Sequence, residues 1–205
     1  MENKTPIDNF EKIKPLLKFD NEHEFYFLQI IQRKKDHKQG HILGTSNNSR
    51  LIRAYYIYSI EQLERYRPEI ISLCDLFGAR AGIALNRRNA KKLSLEMLSL
   101  LAQNIKSNHF SQLGSLYNTI CGQYFESTDK TWILDVDGFV GFTTVDLERF
   151  LEQQEPKGEK IITYIKSKQG YHAICKPFDP RNFKESEIYK GVEIHKNNPT
   201  NLYIP

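Results

Sequence analysis

Trp132-Ile133-Leu134-Asp135-Val136-Asp137-Gly138 is the stretch from which the rest of the chain is read. Its β-branched and aromatic residues make an apolar run suited to a strand, and two carboxylates stand one residue apart at its end. On a strand, side chains at i and i+2 point to the same face. The spacing therefore predicts that Asp135 and Asp137 converge on one point, with Gly138 ending the strand beside them. Two ionised carboxylates held together repel unless something positive lies between them. A divalent cation, bound by hard oxygen ligands, is the simplest such partner.

Downstream, the chain reads as a helix capped at Thr143 or Thr144 and reaching Gln154, then a turn at Pro156-Lys157-Gly158. A strand from Lys160 to Ile165, the polar loop Ser167-Lys168-Gln169-Gly170 and a strand from Tyr171 to Cys175 follow. The last strands are expected at Val192–Ile194 and Leu202–Ile204. Strand-helix-strand-strand opens an RNA-recognition-type or ferredoxin-like sheet, mixed or antiparallel. Upstream, Asp8 to Lys18 reads as an amphipathic helix, Phe25–Ile31 and Leu51–Tyr58 as strands, and Ala79–Asn86 as another. Ser59 with Gln62 makes a capping box for a helix to Phe77, which Pro68 kinks or divides. Two helical stretches fill Lys91 to Ile120. The class is α/β or α+β. The lobes divide near residue 125, about 1–125 and 126–205, within one compact domain over 1–205.

A chain of 205 residues, 40% hydrophobic and 26% charged, has the makings of a globular core. No window is long and apolar enough for a membrane span, and the polar start Met1-Glu2-Asn3-Lys4 does not read as a signal peptide. Cys74, Cys121 and Cys175 are scattered, which suits a reducing cytoplasm better than a disulfide framework or zinc site. The net charge of +4 permits a nucleic-acid partner without requiring one. Basic residues cluster at Arg33–Lys38 and Arg87–Lys92, with Arg50 and Arg53 on another strand and Arg80 opening a fourth. Arg50, Arg53, Arg80, Arg87 and Arg88 are thus candidates for phosphate contact, against solvated loops or strand-end salt bridges as the ordinary alternative. Tyr56 and Tyr58 would share a face, to stack bases or to fill a core. His37 and His41 lie in a Gly- and Asn-rich loop, a poor setting for a metal site, and Cys175 reads as a buried thiol.

Two further segments sharpen the reading of the paired aspartates. Ser167-Lys168-Gln169-Gly170-Tyr171-His172 joins two apolar strands through a small basic turn whose backbone N–H groups can nest an anion. Val192-Glu193-Ile194-His195 supplies a third acid on a short strand. Phosphoryl and nucleotidyl transfer use carboxylate-bridged metal pairs of this kind.

In this order, the Asp-x-Asp strand, the Ser…Gly-x-His turn and the apolar-acid strand resemble the three motifs of the archaeo-eukaryotic primase superfamily. Glu193 followed by Asn197, Thr200 and Tyr203 is similar to the end of the third motif in polymerase domains of bacterial repair ligases. The resemblance covers Trp132 to Pro205 and extends upstream only as a generic α/β lobe. It implies a two-lobed primase-polymerase core in which Asp135, Asp137 and Glu193 bind two Mg²⁺ or Mn²⁺ ions. It further implies that Ser167, Lys168, Gly170 and His172 hold a nucleoside triphosphate over a single-stranded DNA template. The third acid is Glu where Asp is commoner, no cysteine cluster exists for a zinc module, and the link from His172 to Glu193 is short. A compact member of this kind would lean on a helicase or other replication protein, or on an existing primer. Two other classes stay open: a non-catalytic nucleic-acid-binding accessory module, and a nucleotide-sugar-dependent transferase using Asp135 and Asp137.

Overall fold

The computed structural model describes residues 5–33, 49–123, 129–138, 141–186 and 188–205. His37, His41 and most of the first basic run lie outside the described residues. In chain order the elements are β1 (Ile7–Asp8), α1 (Phe10–Ile13), β2 (Glu24–Gln32), β3 (Arg50–Ile57), α2 (Ile60–Phe77), β4 (Arg80–Ile83) and β5 (Arg88–Asn89). There follow α3 (Ala90–Lys106), α4 (Leu116–Gln123), β6 (Trp132–Asp137), α5 (Thr144–Glu152), β7 (Ile161–Lys166), β8 (Gly170–Cys175), α6 (Arg181–Lys184), β9 (Val192–His195) and β10 (Thr200–Ile204). The class is therefore mixed α+β, with antiparallel pairing in both sheets.

Local chemistry sets the long elements. Ser59 Oγ accepts the Gln62 N–H at 3.1 Å while the Gln62 side chain accepts the Tyr58 N–H at 2.7 Å, so α2 starts where orphan donors are satisfied. Gly78, at φ 56°, ends it in the left-handed conformation that glycine adopts without a Cβ clash. Pro68 neither divides nor ends the helix, because Leu63, Ile70 and Cys74 hold one face of it against the sheet on both sides of the proline. Thr143 and Asp146 form a reciprocal capping box at the start of α5. The N-terminal helix is shorter than its pattern suggests: Pro15 falls in a 3₁₀ turn that follows α1.

The first sheet runs β1-β10-β4-β2-β3, with β5 also on β2; the second runs β7-β8-β6-β9. In the second, α5 crosses from β6 to β7, β7 and β8 are joined by a short turn, and α6 precedes β9. Only the strand expected at Leu202–Ile204 departs from that sheet. As β10 it pairs with β1 and β4 of the first sheet instead. Thr200, Asn201, Leu202, Tyr203 and Ile204 are all buried, so the strand needs cover on both faces. A central position between two strands supplies that, and the exposed edge beside β9 does not.

Alternation along each strand sorts the layers. Leu134, Val136 and Ala173 pack under α5 and Phe183 on the outer face of the second sheet. Ile133, Ile165 and Ile174, on its inner face, join the core of the first lobe beside Ile83, Leu85 and Leu202. Phe25 and Phe27 bury the other face of β2 beneath α3 and α4. The two sheets thus meet along an apolar seam. At one end of that seam the inner face of β6 turns from isoleucine to aspartate, and a cleft opens.

Candidate active site in the cleft between the sheets

Three strands deliver the acids and the histidine. Asp135 on β6 stands directly across from His172 on β8 and from Glu193 on β9, and Asp137 stands across from Gly170. Directly opposed residues on neighbouring strands have Cβ atoms about 5 Å apart, so register alone brings Asp135, His172 and Glu193 together. Ile133, Asp135, Asp137, Ser167, Lys168, His172, Glu193 and His195 all line one cleft of about 1060 Å³. Arg33 and Arg80, together with Asn201 on β10 of the first sheet, line it too, as does Lys190. That volume is ample for a nucleotide-sized ligand.

The turn before β8 is built by close approach. Ser167 Oγ accepts the Gly170 N–H at 3.0 Å and lies 3.5 Å from Asp137 Oδ1. Gly138, at φ 74°, donates its N–H to the Gln169 carbonyl at 2.9 Å. A Cβ on Gly170 would sit 1.9 Å from the Val136 carbonyl oxygen, so only glycine fits there.

The electrostatics follow from burial. Asp135 is held above the usual carboxylate range, first because it is desolvated and then by the Asp137 charge, with Glu193 adding to the repulsion. Its Oδ1 is buried and has no hydrogen-bond partner among the described residues. Burial, reinforced by His195, pushes His172 down to about 4, so the ring is neutral at neutral pH. Its Nδ1 lies 3.0 Å from Thr200 Oγ1, and its Nε2 lies 3.3 Å from Asn201 Nδ2. With the Asn201 amide donating to Nε2, the ring proton belongs on Nδ1 and goes to Thr200. Nε2, accepting from Asn201, then lies 3.4 Å from Asp135 Oδ1 with no ring proton between them. This contact would be an ion pair only with a protonated ring.

A buried, unpartnered carboxylate oxygen among further carboxylates is the donor chemistry of a hard divalent cation. Asp135, Asp137 and Glu193 are the residues that would hold one. As the side chains stand, no three His, Cys, Asp or Glu groups among the described residues converge closely enough to ligate together.

Sequence reasoning missed His195 and Asn201, and named Thr200 in the third-motif resemblance without giving it a role. His195 Nε2 lies 3.5 Å from Glu193 Oε2 and 3.9 Å from Asp135 Oδ2. It lies two residues after Glu193, so the spacing that paired the aspartates puts it on the same face and was the available signal. Thr200 and Asn201 reach the site on β10 of the other sheet, and that placement against His172 is what local sequence does not give.

Of Arg50, Arg53, Arg80, Arg87 and Arg88, Arg80 lines the cleft. Arg88 is 1% exposed and donates to the Cys121 and Asn86 carbonyls and to Asn197 Oδ1. Arg87 is also buried, paired with Asp20 and Glu24. Both anchor the interior, which corrects their reading as phosphate contacts. Arg50 is exposed at the start of β3. Arg53 pairs with Glu69 at 3.2 Å and stacks over Tyr55. Neither reaches the cleft. Tyr56 packs among Phe25, Phe27 and Tyr117 and serves the core beneath α3 and α4, whereas Tyr58 touches Phe25 but stays exposed.

No family model, curated protein or solved structure matches the chain. Among the described residues no helix is long and apolar enough to cross a membrane.

Proposed function

We propose that the chain is a metal-dependent nucleotidyltransferase of the primase-polymerase type, acting in the cytoplasm on nucleoside triphosphates and a single-stranded DNA template. The observation that carries the reading is the register of β6 with its two neighbours. It sets Asp135 between Glu193 and His172, with Asp137 one step along the same face. Asp135, Asp137 and Glu193 hold Mg²⁺ or Mn²⁺. When bound, the cations neutralise the phosphates and make the attacking hydroxyl more acidic.

The Ser167 hydroxyl and the Lys168 charge would meet the triphosphate at the turn, whose Gly170 and Ser167 N–H groups are bonded within the turn and hold its shape. His172 is neutral and positioned by Thr200 and Asn201; to donate to a phosphate oxygen the ring would carry its proton on Nε2, with the Thr200 hydroxyl donating to Nδ1 instead. Arg80 and Arg33, across the cleft, lie on the side open to a template strand. In the reaction, a primer 3′-oxygen bonds to the α-phosphorus, the bond to the bridging oxygen breaks, and pyrophosphate leaves.

The test is primer extension, and synthesis without a primer, on single-stranded DNA with each metal and nucleotide set. Asp135→Ala/Asp137→Ala should abolish products while its melting temperature in chelator stays unchanged or rises, because buried repulsion is removed. Products undiminished in that variant would sink the assignment of the acids. Nucleic-acid binding without synthesis by the wild-type chain would favour an accessory module.

A further inference from the structure

Asn9 stands at the N-cap position of α1 yet does not cap it. Asparagine is favoured at such positions because its side-chain oxygen accepts a helix N–H. Here the side chain makes no capping bond, and Asp8 Oδ1 accepts the Phe10 N–H at 3.0 Å instead. Asn9 is 3% exposed, and its amide nitrogen donates to the Lys166 carbonyl at 3.0 Å and to the Asn201 carbonyl at 2.9 Å. Both partners are carbonyl oxygens, so the NH₂ end of the amide must face them, and both of its N–H groups are used.

The two carbonyls belong to different sheets. Lys166 ends β7 of the second sheet and is followed by Ser167, whose hydroxyl accepts the Gly170 N–H at 3.0 Å. Asn201 lies on β10 of the first sheet, and its side chain holds His172 Nε2 at 3.3 Å. One nitrogen thus ties the residue before the Ser167 turn to the residue that orients His172. The Asn9 backbone N–H donates to the Leu202 carbonyl at 3.0 Å, so the tie is itself anchored on β10. Asn86, also buried, fastens the start of β6 and the end of β9 in the same way, donating to the Thr131 and Lys196 carbonyls at 3.0 Å each. Adhesion between the sheets comes from the apolar seam. What satisfied buried amides add is a unique geometry.

We infer that Asn9 is a positioning residue for the cleft: it fixes the separation between the Ser167 turn and Asn201, and with it the place where phosphates meet Ser167 and His172. Asn9 does not line the cleft, so it acts only through Lys166 and Asn201. The consequence for phosphates rests on the nucleotidyl-transfer reading; the tie between the sheets does not.

Asn9→Asp tests the inference with almost no change of volume. A carboxylate has no N–H, so both carbonyls lose their donor and face an acceptor. Gln154→Ala is the control, because Gln154 is also buried and its amide also donates to a carbonyl, that of Phe150 at 3.0 Å, beside α5 on the outer face of the second sheet. Two equilibrium readouts are taken on the full chain: hydrogen exchange at the Ser167 and Gly170 amides, and affinity for a non-hydrolysable nucleoside triphosphate with Mn²⁺. Asn9→Asp should speed exchange in the turn about tenfold or more and weaken triphosphate binding by about the same factor. In primer extension its nucleotide KM should rise more than kcat falls. Gln154→Ala should lower the melting temperature and move neither readout. If Asn9→Asp does not fold, Asn9→Ala, which places no acceptor against the carbonyls, carries the same test. Unchanged exchange in the turn, unchanged triphosphate affinity in a loosened turn, or equal effects from Gln154→Ala would overturn the inference. Faster exchange in Asn9→Asp when the native chain binds no triphosphate would uphold the tie and sink the nucleotide reading instead.

Discussion

Replacing Gly170 with alanine tests the link between the turn, the sheet and the cleft in a single atom. The added Cβ would lie 1.9 Å from the Val136 oxygen, 3.0 Å from the Val136 carbonyl carbon and 3.2 Å from the Asp137 Cα. Relief requires the start of β8 to retreat from β6 by roughly 1.5 Å, since contacts of this kind are stable only near 3.5 Å and above. Backbone, not a flexible side chain, is what must move. That retreat strains the Gly170–Ser167 bond at 3.0 Å and the Gly138–Gln169 bond at 2.9 Å, which hold the turn. Overpacking costs about 1–3 kcal/mol, and each weakened bond adds about 1 kcal/mol at most.

A loss of about 3 kcal/mol is therefore expected, lowering the melting temperature of a chain this size by about 6–12 °C. Scanning calorimetry and urea unfolding read it directly. His172 lies two residues along the displaced strand, so nucleotide incorporation should fall with stability. Gly122→Ala is the control: nothing lies within 4 Å of its Cβ, and it sits in α4. It should be neutral or stabilise by up to about 1 kcal/mol. A Gly170→Ala protein that melts within about 2 °C of the native chain would refute the close approach of β8 to β6.

Arg88→Ala should destabilise by roughly 3 kcal/mol, because it opens a cavity and strips the Cys121 and Asn86 carbonyls of their donor. Arg88→Lys should not restore the loss, since a point charge cannot replace the guanidinium fork. Lost DNA affinity at unchanged stability would contradict this structural role. The low value of His172 makes a prediction for acid, with metal chelated. In the unfolded chain the ring takes a proton near its ordinary 6.5, whereas the folded ring resists until about 4. The unfolded state therefore binds more protons in that window, and stability falls as pH drops through it, by roughly 3 kcal/mol in full. Urea unfolding near neutrality and in mild acid should show this slope in the native chain and not in His172→Gln; an equal slope in both would place the ring in a solvated setting.

Elements marked by nearby residues were legible in the chain. The Ser59 and Thr143 caps, the apolar run ending at Asp137 and the glycine turn before His172 each depend on residues within a few positions of one another. The shared face of Asp135 and Asp137 was legible for the same reason. Arginines were harder to read. A run such as Arg87-Arg88 looks solvated until tertiary structure encloses it with carboxylates on one side and helix-end carbonyls on the other. Likewise Tyr56 and Tyr58 share a face as alternation requires, but only the helices packed over Tyr56 decide that it is core while Tyr58 stays exposed.

By itself, then, the sequence determined a mixed α and β chain carrying two convergent carboxylates, a small basic glycine turn and a third acid on a short strand. Tertiary structure alone decided that Asp135 stands opposite both Glu193 and His172, and that β10 crosses to the first sheet carrying Thr200 and Asn201 to the ring. It also decided that two of the expected phosphate-binding arginines are interior. The physical reason is range. Periodicity and capping are set by neighbours along the chain, whereas register and burial are settled by which apolar faces can cover one another across more than a hundred residues.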